Sequence, residues 1–153
     1  MEKRLIYHFV DDDELLRITN RIKEIEKTTS GEICVTIKEH RHLLEKKKNI
    51  RELAQEEFIR LGINKTKDST GILIFILLED RQFYIVADNG INKKVSQSVW
   101  DSIRDDMQGM FVKGEFCKGI LHGLTEVGKV LSAHFPVKPG DKNEISDRVR
   151  IED

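Results

Sequence analysis

"DSTGILIFILLEDRQFYIVADNG", Asp68 to Gly90, is the stretch whose reading decides the fold. Its centre, Ile72 to Leu78, is apolar at every position. An unbroken Ile-rich run of this length predicts a central strand covered on both faces. Glu79-Asp80-Arg81-Gln82 separates it from a second apolar run, Phe83 to Ala87, and a tight hairpin is the simplest connection. With the turn at Asp80-Arg81, position 88 falls opposite roughly position 73. The second strand then runs straight into Asp88, Asn89 and Gly90.

Upstream, Asp11 or Asp12 can cap a first helix, with further acids in the first turn suiting the helix dipole. Leu15, Ile18, Ile22 and Ile25 give it one apolar face, and Thr28-Thr29-Ser30-Gly31 stops it. Ile33, Val35 and Ile37 alternate with Cys34 and Thr36, a strand with one clearly apolar face. A second helix is predicted from about Leu44 to Leu61 with Gly62 as its C-terminal cap. Downstream, Ser96 can cap a third helix carrying Val99, Trp100, Ile103 and Met107. A fourth starts near Gly114 or Glu115, carries Phe116, Ile120, Leu124, Val127 and Leu131, and ends near Phe135 and Pro136.

The order α-β-α-β-β-α-α makes the first two strands parallel and the third antiparallel. The predicted fold class is α/β: a three-layer α/β/α, Rossmann-like sandwich around a small mixed sheet. Residues 1–136 form the expected domain, and the charged segment 137–153 is expected to be a disordered tail.

Composition narrows the function classes. The net charge of −1 excludes a global pull toward nucleic acid or acidic membrane surfaces. Basic residues cluster only locally, as in Glu45 to Asn49, where they alternate with Glu as on a solvated helix face. The first residues lack the apolar length of a signal peptide or membrane anchor, so a cytoplasmic monomer is the expectation. Cys34 and Cys117 have neither disulfide-framework nor zinc-ribbon spacing. There is no G-x-S-x-G elbow, P-loop or G-x-G-x-x-G.

Strand order places three loops at one end of the sheet: Ser30-Gly31-Glu32, Asp68-Ser69-Thr70-Gly71 and Asp88-Asn89-Gly90. Carboxylates gathered there would repel without a cation between them, and a hard, oxygen-seeking ion, Ca²⁺ or Mg²⁺, is the natural candidate. The candidate ligands are Asp88, Asp68, Glu32, Asn89, Ser30 and Thr70. The competing reading makes Asn89-Gly90 a type I′ hairpin turn. At the other end, Asp80-Arg81 can hold the hairpin or bind an anion. His40 and His42, two apart after the strand, are not read as a shared zinc site. Cys117 reads as a buried thiol, and Gly119 and Gly123 as a site of close helix packing.

The segments "HFVDDDELLRITNRIKEIEKTTSGEICVTI", "DSTGILIFILLEDRQFYIVADNGI" and "FVKGEFCKGILHGL" together resemble the TPM domain family, named for a thylakoid lumen protein and its relatives. The resemblance covers about residues 8 to 136. It implies an α/β/α sandwich and a divalent-metal binder; a plant member is associated with acid phosphatase activity and photosystem II repair. Many members are membrane-tethered or exported, and this sequence resembles the untethered bacterial type. Most members carry Gly-x-Gly-Leu-Glu followed by an Asp. Here those positions read Asp88-Asn89-Gly90-Ile91-Asn92, with Gln97 near the later Asp, so two acids are absent and Asp88 is added. The expected function is therefore a divalent-cation-binding domain. The alternatives are a metal-dependent acid phosphatase acting on phosphomonoesters and an adaptor that engages a protein partner.

Overall fold

The apolar run at Ile72 is the axis of the molecule. The structure, a computed structural model, describes residues 4–66, 68–137 and 149–153. β1 (Glu32–Lys38) and β2 (Gly71–Leu77) pair in parallel from Glu32↔Gly71 to Lys38↔Leu77. β3 (Gln82–Ala87) runs antiparallel to β2, with Ile72 opposite Ala87. α1 (Asp12–Glu26), α4 (Gln97–Val112) and α5 (Phe116–His134) cover one face, and α2 (Ile50–Arg60) covers the other. This is the expected mixed-sheet α/β sandwich. Every residue from Ile72 to Leu77 is at most 3% exposed. Burial of each such side chain stabilises by about 1.5–3 kcal/mol.

Side-chain alternation splits this run between two cores. Ile72, Ile74 and Ile76 join Ile33, Val35 and Ile37 beneath α1, α4 and α5. Leu73, Phe75 and Leu77 join Cys34 beneath Leu53, Ala54 and Phe58 of α2. β1 thus differs from its predicted one-faced character, because its other face is also buried. Thr36 donates its hydroxyl to Glu57 Oε2 at 2.9 Å, and α2 lies over both. A buried hydroxyl needs such a partner, and Glu57 supplies it.

Asp11 proves to be the cap of α1, in a reciprocal box with Glu14. α2 starts six residues later than predicted (Ile50 against Leu44), because the Asn49 side chain accepts the Glu52 N–H at 2.8 Å and fixes the first turn there. Leu43 and Leu44 sit in an exposed 3₁₀ turn before it. The close helix packing at Gly119 and Gly123 is present. A Cβ on Gly123 would run into the sulfur of Met107, and one on Gly119 into the ring of Phe111.

The expected disordered tail falls mainly on residues 138–148, which lie outside the described residues. Its end is ordered and corrects that expectation. Arg150–Glu152 forms β4, parallel to β1 (Ile37↔Ile151), so the sheet order is β3-β2-β1-β4. Charged residues there form pairs while Arg150 and Asp153 stay exposed. Glu152 bonds Arg60, Asp153 bonds Arg4 at 2.7 Å, and the Glu152 carbonyl accepts the Glu39 N–H at 2.8 Å.

Candidate functional site

The three predicted loops do converge. The Glu32 N–H donates to the Thr70 carbonyl at 3.2 Å, and the Asp88 N–H donates to the Gly71 carbonyl at 3.0 Å. Asp88 therefore lies opposite Gly71, two residues from the expected register, because the hairpin loop has four residues (Leu78 to Arg81). The offset is even, so every β3 side chain keeps its expected face.

Asp88-Asn89-Gly90 is not a hairpin turn. Asp88 is the N-cap of a one-turn helix, α3 (Asn89–Asn92), and its Oδ1 accepts the Asn89 N–H at 2.8 Å. The Asp88 carbonyl accepts the N–H groups of Ile91 and Asn92 at 3.0 and 3.1 Å. Gly90 has no positive φ, which a type I′ turn would require. It is glycine for a different reason. A Cβ there would lie 2.5 Å from both the Asp68 and the Ser69 carbonyl oxygens. Those two oxygens are thus turned toward the first turn of α3. Ser69 itself adopts φ 55°, a left-handed conformation that turns its peptide units at that point.

Each candidate ligand has a defined place. Asp88 Oδ2 is buried and has no hydrogen-bond partner among the described residues. Asp68 is exposed, and Asn89 is exposed with its N–H on Asp88. Glu32 is 3% exposed at the start of β1. Ser30 is drawn away by α5, donating its N–H and hydroxyl to the Phe135 carbonyl at 2.9 and 3.4 Å. Thr70 is buried, and its N–H reaches the Thr66 hydroxyl at 3.2 Å.

Glu32 and Asp88 flank Gly71 on neighbouring strands, two strand spacings or roughly 10 Å apart along the backbone. A methyl of Ile63, fully buried, fills the space that a Gly71 side chain would take. Accordingly, among the described residues no three His, Cys, Asp or Glu side chains gather closely enough to hold a metal. The sequence pattern identified the loops but not this interposed isoleucine.

The opposite end of the sheet has an organiser that sequence reasoning missed. Arg41 donates Nε to Asp80 Oδ2 at 2.6 Å, its N–H to Glu79 Oε1 at 2.5 Å and Nη1 to the Glu45 carbonyl at 2.9 Å. Its surroundings, Glu39 to Lys48, are too uniformly charged to single it out. The hairpin-holding use of Asp80 is therefore real, with Arg41 rather than Arg81 as its partner. Nearby, Glu39 accepts from the Ile6 N–H at 2.8 Å and from Arg4 Nη2 at 2.8 Å. Burial alone would raise the Glu39 carboxyl, but the Ile6 N–H and the Arg4 guanidinium outweigh it and hold it below the usual carboxylate range. Burial, with Glu26 and Glu32 nearby, pushes the Cys34 thiol up to about 12. Cys117 is also buried and raised, as expected of a structural thiol. Trp100 belongs to the core at 5% exposure.

A family model described as the TPM domain matches residues 7–130. No curated protein matches the chain. Among solved structures, the NMR structure of the BA42 protein from the psychrophilic bacterium Bizionia argentinensis is similar at 32% identity. The match covers 94% of this chain and 95% of that one, with a TM-score of 0.83. The N-terminal domain of a P. gingivalis protein is 17% identical over 83% of this chain and 79% of that one, with a TM-score of 0.67. The N-terminal domain of the cg2496 protein from Corynebacterium glutamicum is 12% identical over 80% and 74%, with a TM-score of 0.60. These last two share the fold alone. No helix among the described residues is long and apolar enough to cross a membrane.

Proposed function

The chain belongs to the TPM domain family, and from that premise we propose that it binds a hard divalent cation, Ca²⁺ or Mg²⁺, where the loops at residues 68–71 and 88–90 meet. The observation that carries the reading is Asp88 Oδ2, a buried carboxylate oxygen without a hydrogen-bond partner among the described residues. An oxygen in that position costs free energy unless something cationic or protonated reaches it. On the adjoining loop, the carbonyl oxygens of Asp68 and Ser69 crowd against Gly90, two residues beyond Asp88. One carboxylate with two carbonyls is an oxygen-only donor set of the kind hard cations use. Loop carbonyls of irregular geometry suit Ca²⁺ better than Mg²⁺, which demands a near-ideal octahedron.

Only one acid is central to this set, so the affinity belongs at the weak end of calcium sites, with Kd about 10⁻⁴ to 10⁻³ M. The test is a Ca²⁺ titration of the ¹⁵N-labelled protein, with Asp88→Asn as the control variant. Asparagine caps helices as well as aspartate, so α3 survives the substitution and only the charge is lost. Saturable shifts at residues 68–71 and 88–92 that weaken at least tenfold in the variant support the reading. Shifts elsewhere, or a titration indifferent to the variant, refute it. The same samples given a phosphomonoester distinguish binding from turnover. Hydrolysis that disappears with Asp88→Asn would establish the phosphatase alternative instead.

A further inference from the structure

Away from the metal loops, a cleft of about 440 Å³ opens where the β2–β3 hairpin, the 3₁₀ turn Leu5–His8 and the α4–α5 junction meet. One wall is a continuous run of four rings. Phe9 packs on Phe116, Phe116 on Phe111 and Phe111 on Phe83, each pair with centroids 5.2 Å apart. The absence of a side chain at Gly119 gives the Phe111 ring its place. Phe9 and Phe111 are only half-buried, so part of this aromatic wall faces the cleft.

The ionisable lining is one-sided. Among the described residues, Arg81 and His8 border the cleft, and no carboxylate does. Arg81 makes no side-chain hydrogen bond or ion pair among the described residues, and its neighbour Asp80 is engaged by Arg41. Arg81 also occupies a strained position. Its φ of 53° closes the hairpin loop, its N–H donating to the Leu78 carbonyl at 3.0 Å. Glycine or asparagine would take that conformation more cheaply. The Arg81 side chain is exposed, so its guanidinium is open to a ligand at the border of the cleft. The volume lies within the range of small-molecule sites, and an apolar body with one fixed polar contact is their usual make-up.

We propose that this cleft binds a small organic anion, a monocarboxylate with an aromatic or branched apolar body. Its carboxylate pairs with Arg81, whose planar fork matches a carboxylate in two-point geometry, and its body lies against the phenylalanine wall. His8, on the same lining, offers a second polar contact.

The test uses the full-length ¹⁵N-labelled protein with 2-naphthoate and its uncharged counterpart 2-naphthamide. The carboxylate is expected to shift residues 8–9, 76–83 and 108–116 and to bind about tenfold tighter than the amide. Arg81→Gln keeps the backbone amide and should abolish that preference while leaving the amide's affinity in place. Val112→Trp, at an exposed position lining the same cleft, should weaken both ligands while the fold persists. The proposal is overturned by equal affinity for the two compounds, by a preference that survives Arg81→Gln, by shifts centred elsewhere, or by no binding of either compound at millimolar concentration.

Discussion

Replacing Gly90 with alanine should separate the two loops that form the candidate cation site. The new Cβ would lie 2.5 Å from the carbonyl oxygens of both Asp68 and Ser69. Ordinary C···O contacts begin near 3.3 Å, so each oxygen must retreat by about 0.8 Å. Neither is a flexible side-chain end. Both belong to a loop tied down by Ser69 N–H on the Thr66 carbonyl, Thr70 N–H on the Thr66 hydroxyl, and the Thr70 carbonyl on Glu32 N–H, all at 3.2 Å. Overpacking against fixed atoms costs about 1–3 kcal/mol, and the gain in helix propensity offsets at most about 1 kcal/mol of it. A net loss of about 1–2 kcal/mol should lower Tm by roughly 2–8 °C for a chain of this length. Gly109→Ala is the internal control. It sits within α4 with nothing within 4 Å of its virtual Cβ, so it should stabilise by about 0.5–1 kcal/mol. Thermal and urea unfolding of both variants, with Ca²⁺ affinity measured alongside, decides the matter. If Gly90→Ala is as stable as Gly109→Ala and binds Ca²⁺ unchanged, the close approach of the loops is wrong.

Three further outcomes are expected. Glu39→Gln removes the charge and one of the two acceptor oxygens, Oε2 for the Ile6 N–H and Oε1 for Arg4, and should cost about 2 kcal/mol in urea unfolding at neutral pH. Because the folded carboxyl is held below its unfolded value of about 4.3, its contribution is fully present above that value and is lost as pH falls further. Acid should thus narrow the gap between wild type and variant, and a gap constant down to pH 2 would contradict this. With its thiol pushed up to about 12 and its side chain between β1 and α2, Cys34 should react with Ellman's reagent only as fast as the protein unfolds. Rapid labelling of native protein at that position would show the thiol to be accessible. Deleting residues 149–153 removes β4 and the packing of Val149 and Ile151, and should cost about 1–2 kcal/mol while exposing the edge of β1. Unchanged stability would mean that β4 does not hold to the sheet in solution.

What the sequence determined by itself was whatever local pattern and periodicity carry. Ile72 to Leu78 specified a doubly covered strand because no alternation was present to leave one face wet. The acids before Leu15 and the spacing of Ile18, Ile22 and Ile25 specified α1 and its buried stripe. Strand direction then brought Glu32, Thr70 and Asp88 to the same end of the sheet, since helical and hairpin connections leave few alternatives. Tertiary structure decided what depends on distant partners. Arg150–Glu152 is three residues with one apolar side chain, too little to read as a strand. It becomes one only because Arg60, Arg4 and the open edge of β1 receive it. Asn89-Gly90 is a strong turn dipeptide, although the residues after it do not alternate as a return strand should. It became a helical turn because Gly90 answers to the carbonyls of Asp68 and Ser69, some twenty residues away. The space beside Gly71, between the strand positions of Glu32 and Asp88, is likewise filled by a methyl of Ile63, a contact that no spacing in the sequence encodes.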